Sequence, residues 1–261
     1  MRNLFFISVC VSFLWANILC ANEKTVLKII TAPEVKELSG KEGIRVINSL
    51  TSIEYSIQHI PGSINIPLDD MDENHKLPDD KNISLIFYCM GRRCLYSKKA
   101  SMKAIQLGYK NVYWFEGGIP DWYRFNYPMR INKYLKSIPV KKLSPEKVAK
   151  LIGQKKVTVL DVKPEWWQAN AGEAMDIENS LSLPLVSLQD TYQKIPKDRP
   201  LIIVDCLMRQ STSAARFLIS KGYQVSGVLK GGITRWEKEG FPVVQRNPDI
   251  FKTAEKDFPI E

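Results

Sequence analysis

The stretch SLIFYCMGRRCLYSKKASMKAIQLGY, residues 84–109, sets an uninterrupted apolar run against Cys89, then a polar loop, then residues at helical spacing. A second stretch, PLIIVDCLMRQSTSAARFLISKGY at 200–223, repeats that order with a cysteine at Cys206. Apolar runs of this length read as strands buried on both faces of a parallel sheet. The expected helices are capped by Ser97 and Ser211 and stopped by Gly108 and Gly222.

Outward from this core, the two halves keep matching. TAPEVKELSG (31–40) answers LSPEKVAKLIG (143–153), each with a hydroxyl residue, a proline and a glutamate ahead of apolar residues at helical spacing. That is helix-start chemistry, with an N-cap hydroxyl, proline in the first turn and an acid near the positive end of the dipole. Short apolar strands follow, IRVIN at 44–48 and VTVLDV at 157–162. NVYWFEGGIPDWYRFNYP (111–128) matches QVSGVLKGGITRWEKEGFP (224–242), so Gly117-Gly118 and Gly231-Gly232 are expected in tight turns before helices carrying Trp122 and Trp236. An internal repeat with alternating strands and helices predicts two tandem α/β domains, 25–130 and 141–246, each a mainly parallel sheet flanked by helices. The joint is the basic, loop-like INKYLKSIPVKK (131–142). The repeat argues against one larger α/β domain.

Composition sets outer bounds. With 44% hydrophobic and 25% charged residues in 261, the chain is globular in character. The formal charge of +9 comes from scattered lysines without a base-reading motif or basic aromatic stripe, which argues against a nucleic-acid partner. Arg2 precedes an apolar run from Leu4 to Leu19, shorter than the roughly 20 residues of a spanning helix and ordered like a secretory signal. Residues 1–21 are therefore expected to direct export to the periplasm or beyond. A lipidated Cys20 and a retained anchor are the alternatives, and only these would bring a membrane contact. Removal of the signal leaves Cys89, Cys94 and Cys206, an odd number that points to a reactive thiol. With only two histidines, His59 and His75, a zinc site is not expected, and no cofactor is called for.

Cys89 is the candidate nucleophile. A strand delivers it to its C-terminal end, where the functional crevices of parallel sheets lie. The loop Met90, Gly91, Arg92, Arg93, Cys94, Leu95 can wrap its amides around the sulfur, and amides, a helix N-terminus and arginines all favour thiolate. The bland reading is a buried strand cysteine.

Together, EYSIQHIPGSINIPL (54–68), YCMGRRCLYS (88–97) and GYKNVYWFEGGIPDW (108–122) resemble the rhodanese (thiosulfate sulfurtransferase) family, in its tandem two-domain form, over nearly the whole chain. The resemblance implies a Cys89 persulfide that takes sulfur from a small anionic donor such as thiosulfate and passes it to a thiol or cyanide. Asn48 and Leu50 replace the family's usual Asp and Arg, and the loop is longer than usual and carries Cys94, either a resolving thiol or a piece of the loop. A phosphatase would want an arginine six residues after the cysteine, where Leu95 stands. In the second half the family's catalytic position falls on Asp205; only a contracted loop would put Cys206 there, with Arg209 as an anion contact. That half is expected to be degenerate. Rival readings are a non-catalytic binding or sulfur-carrier module and a thiol-redox protein using Cys89 and Cys94.

Overall fold

The computed structural model describes residues 27–71, 77–164 and 175–245. The expected signal at 1–21 lies outside them. Among the described residues no helix is long and apolar enough to cross a membrane.

The first half folds in the order β1 (Lys28–Ile29), α1 (Ala32–Leu38), β2 (Ile44–Asn48), α2 (Ser52–Ile57), β3 (Gln58–His59), β4 (Ile64–Asn65), β5 (Ser84–Tyr88), α3 (Tyr96–Gln106), β6 (Asn111–Phe115), α4 (Gly118–Arg124) and β7 (Arg130–Ile131). Its sheet runs β1-β6-β5-β2-β4, all neighbours parallel, while β3 and β7 form a small antiparallel ribbon.

A short helix, α5 (Lys133–Ser137), leads into the second half: β8 (Lys142–Leu143), α6 (Pro145–Gly153), β9 (Thr158–Asp161), β10 (Met175–Asp176), β11 (Leu181–Ser182), α7 (Leu185–Thr191), β12 (Leu201–Val204), α8 (Ser211–Ser220), β13 (Val225–Leu229), α9 (Gly232–Lys238) and β14 (Val244–Gln245). Its parallel sheet, β8-β13-β12-β9-β11, repeats the first in strand order, and β10 with β14 repeats the ribbon. The central strands β5 and β12 bury nearly every residue, as their unbroken apolar sequence requires.

The helix starts follow the sequence at α1 and α6. Thr31 caps α1 in a reciprocal box with Glu34, and Ser144 accepts from the Lys147 amide. Two details differ from expectation. Leu95 and Gln210, not Ser97 and Ser211, occupy the caps of α3 and α8; both serines lie buried in the first turn, and the Ser97 hydroxyl meets the Cys89 sulfur. The joint is also not a plain loop: the Asn132 side chain accepts from the Leu135 amide and starts α5, which packs on α2 and α8.

The halves share one apolar seam. Ile53 and Ile57 of α2 join the second domain's core around Leu185, Leu188 and Ala215. Ser52 Oγ bonds Gln189 Oε1 at 3.0 Å across this seam, and Arg216 Nε reaches the Ile138 carbonyl at 3.3 Å. Burying such a seam sets the C-terminal ends of the two sheets toward a shared cleft.

Candidate active site

The loop from Cys89 to Ser97 closes on itself. The Cys94 amide donates to the Gly91 carbonyl at 2.7 Å, and Gly91 has φ +107, a region open to glycine at little cost. A side chain there would also press on the Gly117 carbonyl and the Pro120 ring. Behind the loop, Ile119 N donates to the Cys89 carbonyl at 3.0 Å, which pins the end of β5 to the start of α4.

This closure puts Cys89 in a polar pocket of its own, with 0% of its surface exposed. Its sulfur lies 3.1 Å from Ser97 Oγ and 3.3 Å from the Cys94 carbonyl oxygen. Ser97 Oγ in turn accepts from Trp114 Nε1 at 3.0 Å, which orients the hydroxyl. Burial pushes the Cys89 thiol up, but bonds from the Cys94 thiol, the Ser97 hydroxyl and the Ser97 and Gly91 amides more than offset it and bring it down to about 7. The Cys94 thiol is pushed well up by its bond to Cys89 and by burial, so Cys89 is the readier of the two to ionise.

A cleft of about 380 Å3 opens in front of this pair, between the domains. The first domain lines it with Leu50, Glu54, Met90, Arg93, Cys94 and Leu95, so Cys94 faces the cleft and Cys89 lies behind it. Arg92 turns away instead, to Glu116 at 3.4 Å and Asp121 at 3.5 Å. Gly91 shapes the loop and supplies an amide to the sulfur. Of the expected loop residues, then, Met90, Arg93, Cys94 and Leu95 meet the cleft, and Gly91 and Arg92 do not.

From the second domain come Asp205, Cys206, Met208, Arg209 and Gln210. Arg209 Nη1 donates to the Arg93 carbonyl, and Gln210 Nε2 donates to Tyr96 Oη at 2.8 Å, so the two loops are tied together. Strand pairing fixes their correspondence. Tyr88 pairs with Asn48 and Val204 with Asp161, so Asp205 occupies the position of Cys89 and Cys206 that of Met90. The amides of Met208, Gln210 and Ser211 donate to the Asp205 carboxylate, filling that cradle with the protein's own anion. Burial pushes the Asp205 carboxyl up, those amides only partly opposing it. Cys206, beside the cradle, is pushed up to about 12 by burial and has no thiolate to offer.

The basic position after the first central strand also differs between halves. Lys163 meets Asp161 at 3.0 Å and Asp176 at 2.7 Å in a buried cluster, whereas Leu50 stands in its place in the first domain. Sequence reading alone does not single out Glu54. Its carboxylate takes bonds from Thr51 N and Oγ1 at 3.2 and 2.9 Å, a capping box that the Thr-x-x-Glu spacing signals. Burial pushes its carboxyl up to about 7 against those bonds, and the charges of Cys89 and Asp205 add to the rise. Among the described residues no group of His, Cys, Asp and Glu is arranged to hold a metal ion.

The molecule is thus a duplicated α/β protein with a cradled cysteine sulfur at the end of one central strand and a carboxyl group in the matching cradle. The rhodanese-like domain family matches it twice, at residues 31–125 and 144–239, and the chain belongs to that sulfurtransferase family. Thiosulfate sulfurtransferase/rhodanese-like domain-containing protein 3 of Mus musculus is 34% identical over 108 residues, 36% of this chain and 68% of that protein. The tRNA uridine(34) hydroxylase of Hamiltonella defensa subsp. Acyrthosiphon pisum (strain 5AT) is 32% identical over 101 residues, 36% of this chain; the match spans only 28% of the hydroxylase. The crystal structure of thiosulfate sulfurtransferase from Pseudomonas aeruginosa aligns with 85% of this chain and 44% of its own at 15% identity, with a TM-score of 0.41.

Proposed function

We propose that the protein is an exported sulfurtransferase that takes a sulfane sulfur from thiosulfate or a similar donor onto Cys89 and passes it to a thiol or cyanide. The observation that carries this reading is the Cys89 sulfur itself, buried at the end of β5 against Ser97 and the Cys94 carbonyl, with its thiol brought down to about 7. Thiolate is the attacking form, and the same donors stabilise the terminal sulfur of a persulfide. In the first step Cys89 attacks the outer sulfur of thiosulfate, the S–S bond breaks and sulfite leaves with its electrons. Arg93 and Arg209 at the rim supply positive charge for such a dianion. The apolar stretch from Leu4 to Leu19 behind Arg2 supports export.

The second domain supports the reaction without turning over. A carboxylate carries no sulfur, and Asp205 already occupies the amides that would hold one. Its loop closes the cleft from the far side through Arg209 and Gln210.

The test is a mass measurement after incubation with thiosulfate and, separately, benzenethiosulfonate, in the absence of added thiol. A gain of one sulfur that cyanide removes, lost in Cys89→Ser and kept in Cys206→Ser, is expected. No sulfur on Cys89 from either donor sinks the proposal and leaves the binding-module reading.

A further inference from the structure

We infer that the sulfur loaded on Cys89 is discharged within the loop itself: Cys94 attacks the Cys89 persulfide, releases sulfide and leaves a Cys89–Cys94 disulfide. This rests on the persulfide proposed above and adds a second activity to it, dithiol-dependent release of sulfide.

Three features of the loop carry the inference. The chain turns back at Gly91 through the Cys94 amide bond, which brings Cys94 against the sulfur of Cys89: the thiol donates to the Cys94 carbonyl at 3.3 Å. The order of burial matters as well. Cys94 faces the cleft while Cys89 has no exposed surface, so an outside thiol must pass Cys94 to reach the persulfide. Finally, this fold carries its own comparison. From Cys89 to Ser97 is eight residues, and from the equivalent Asp205 to Ser211 is six. The domain that holds the thiolate has the longer loop, and Cys94 lies within it.

The chemistry closes. As Cys94 attacks Cys89 Sγ its proton passes to the terminal sulfur of the persulfide, so no free Cys94 thiolate is needed; a Cys89–Cys94 S–S bond forms, and the bond from Cys89 Sγ to the terminal sulfur breaks. The electron pair leaves with that sulfur, the Cys94 proton goes with it, and the product is HS⁻. The sulfane sulfur is reduced and the two cysteines are oxidised. A dithiol reductant then exchanges with the disulfide and restores both thiols. Both cysteines lie in one closed loop, so the step is intramolecular, which favours it over attack by a dilute thiol.

The experiment loads the full chain with one equivalent of benzenethiosulfonate without any thiol, then follows free sulfide, intact mass and the disulfide map. Wild type is expected to release about one sulfide per chain, to lose two titratable thiols and to show the Cys89–Cys94 peptide pair. Cys94→Ser and Cys94→Ala are expected to keep the added sulfur and release at least about tenfold less sulfide. Wild type that holds its added sulfur with no sulfide overturns the inference and leaves the sulfurtransferase reading standing. Equal sulfide from wild type and either Cys94 variant overturns it too. A chain that never gains sulfur, variants included, removes both.

Discussion

The carboxylate of Asp205 stands where its repeat partner, Cys89, places a sulfur. Strand register makes the two positions equivalent in the duplicated fold, and the loop amides that follow each one turn inward. One cradle therefore holds a thiol brought down to about 7 and the other a carboxyl group that accepts from the loop amides. Removing that carboxyl group, in Asp205→Ala, leaves the Met208, Gln210 and Ser211 amides facing an empty pocket. Unpaired buried donors cost about 1–3 kcal/mol each before relaxation, so a loss of roughly 2–4 kcal/mol in denaturant unfolding is expected. Cys206→Ser, by contrast, is expected to leave sulfur loading within about twofold, because Cys206 has no thiolate to lose.

The thiolate itself has a measurable signature. Cys89 is held at about 7, below the ordinary 9.0, while bonding to Cys89 and burial keep the Cys94 proton in place. The ultraviolet thiolate absorbance that is lost in Cys89→Ser is expected to appear as pH rises through about 7. Ser97→Ala removes the hydroxyl 3.1 Å from the sulfur and frees Trp114 Nε1. Loss of a bond to a charged group is worth enough to move that midpoint up by about one pH unit. A midpoint unmoved by Ser97→Ala would show that Cys94 and the loop amides hold the thiolate without the hydroxyl.

Glu54 gives a stability effect of opposite sign. Its carboxyl is pushed from 4.5 up to about 7 by burial, so the unfolded chain ionises it first as pH rises. The folded state binds the extra proton between those values, and stability falls with pH across that window. At roughly 1.4 kcal/mol per unit, the full cost approaches about 3 kcal/mol for the shift from 4.5 to about 7. Glu54→Gln cannot ionise. Relative to wild type it is expected to gain about 1–3 kcal/mol between pH 4.5 and pH 8, read from urea midpoints at several pH values.

Gly118 is the geometric keystone of the loaded loop. It has φ +53, and a Cβ there would sit 2.2 Å from the Cys89 carbonyl oxygen and 2.7 Å from the Gly91 amide nitrogen. Gly118→Ala must move backbone rather than a flexible side chain, at a cost of roughly 2–4 kcal/mol. Because that backbone carries Cys89, persulfide loading is expected to slow by about tenfold or more. Gly232→Ala meets the same clash against Asp205 and Cys206 in the second domain. It is expected to destabilise without the matching loss per folded molecule, a contrast that thermal melting and loading kinetics together resolve.

The repeat, the parallel sheets and the placement of Cys89 were legible in the sequence because each rests on local pattern: unbroken apolar runs, glycine stops and a polar loop after a strand. What the sequence left dark depends on contacts between distant segments. Ser97 has the right chemistry for a helix cap, yet Cys89 and Trp114 recruit its hydroxyl, and the cap passes to Leu95. Arg92 and Arg93 are adjacent and alike, but Glu116 and Asp121 claim the first and leave the second for the cleft. Glu54 looks like a helix-start acid, yet it is buried and feels the charges of Cys89 and Asp205. Tertiary contacts decide these, two of them inside the first domain and one near the domain cleft, and no spacing rule encodes them.

Arg209 tests whether that seam matters for the chemistry. It crosses from the second domain to the Arg93 carbonyl, so it both ties the loops and adds a second positive charge to the cleft. Both arginines are exposed at the rim, so their pull on a dianion acts at long range and weakens with salt. Arg209→Ala is expected to raise the KM for thiosulfate by about three- to tenfold, with kcat within about twofold. The loss should shrink toward nothing at roughly 1 M salt, where charges are screened within about 3 Å. Benzenethiosulfonate carries half the charge of thiosulfate and should show a smaller change. A fall in kcat with KM unchanged would instead assign Arg209 to holding the Cys89 loop in its reactive shape.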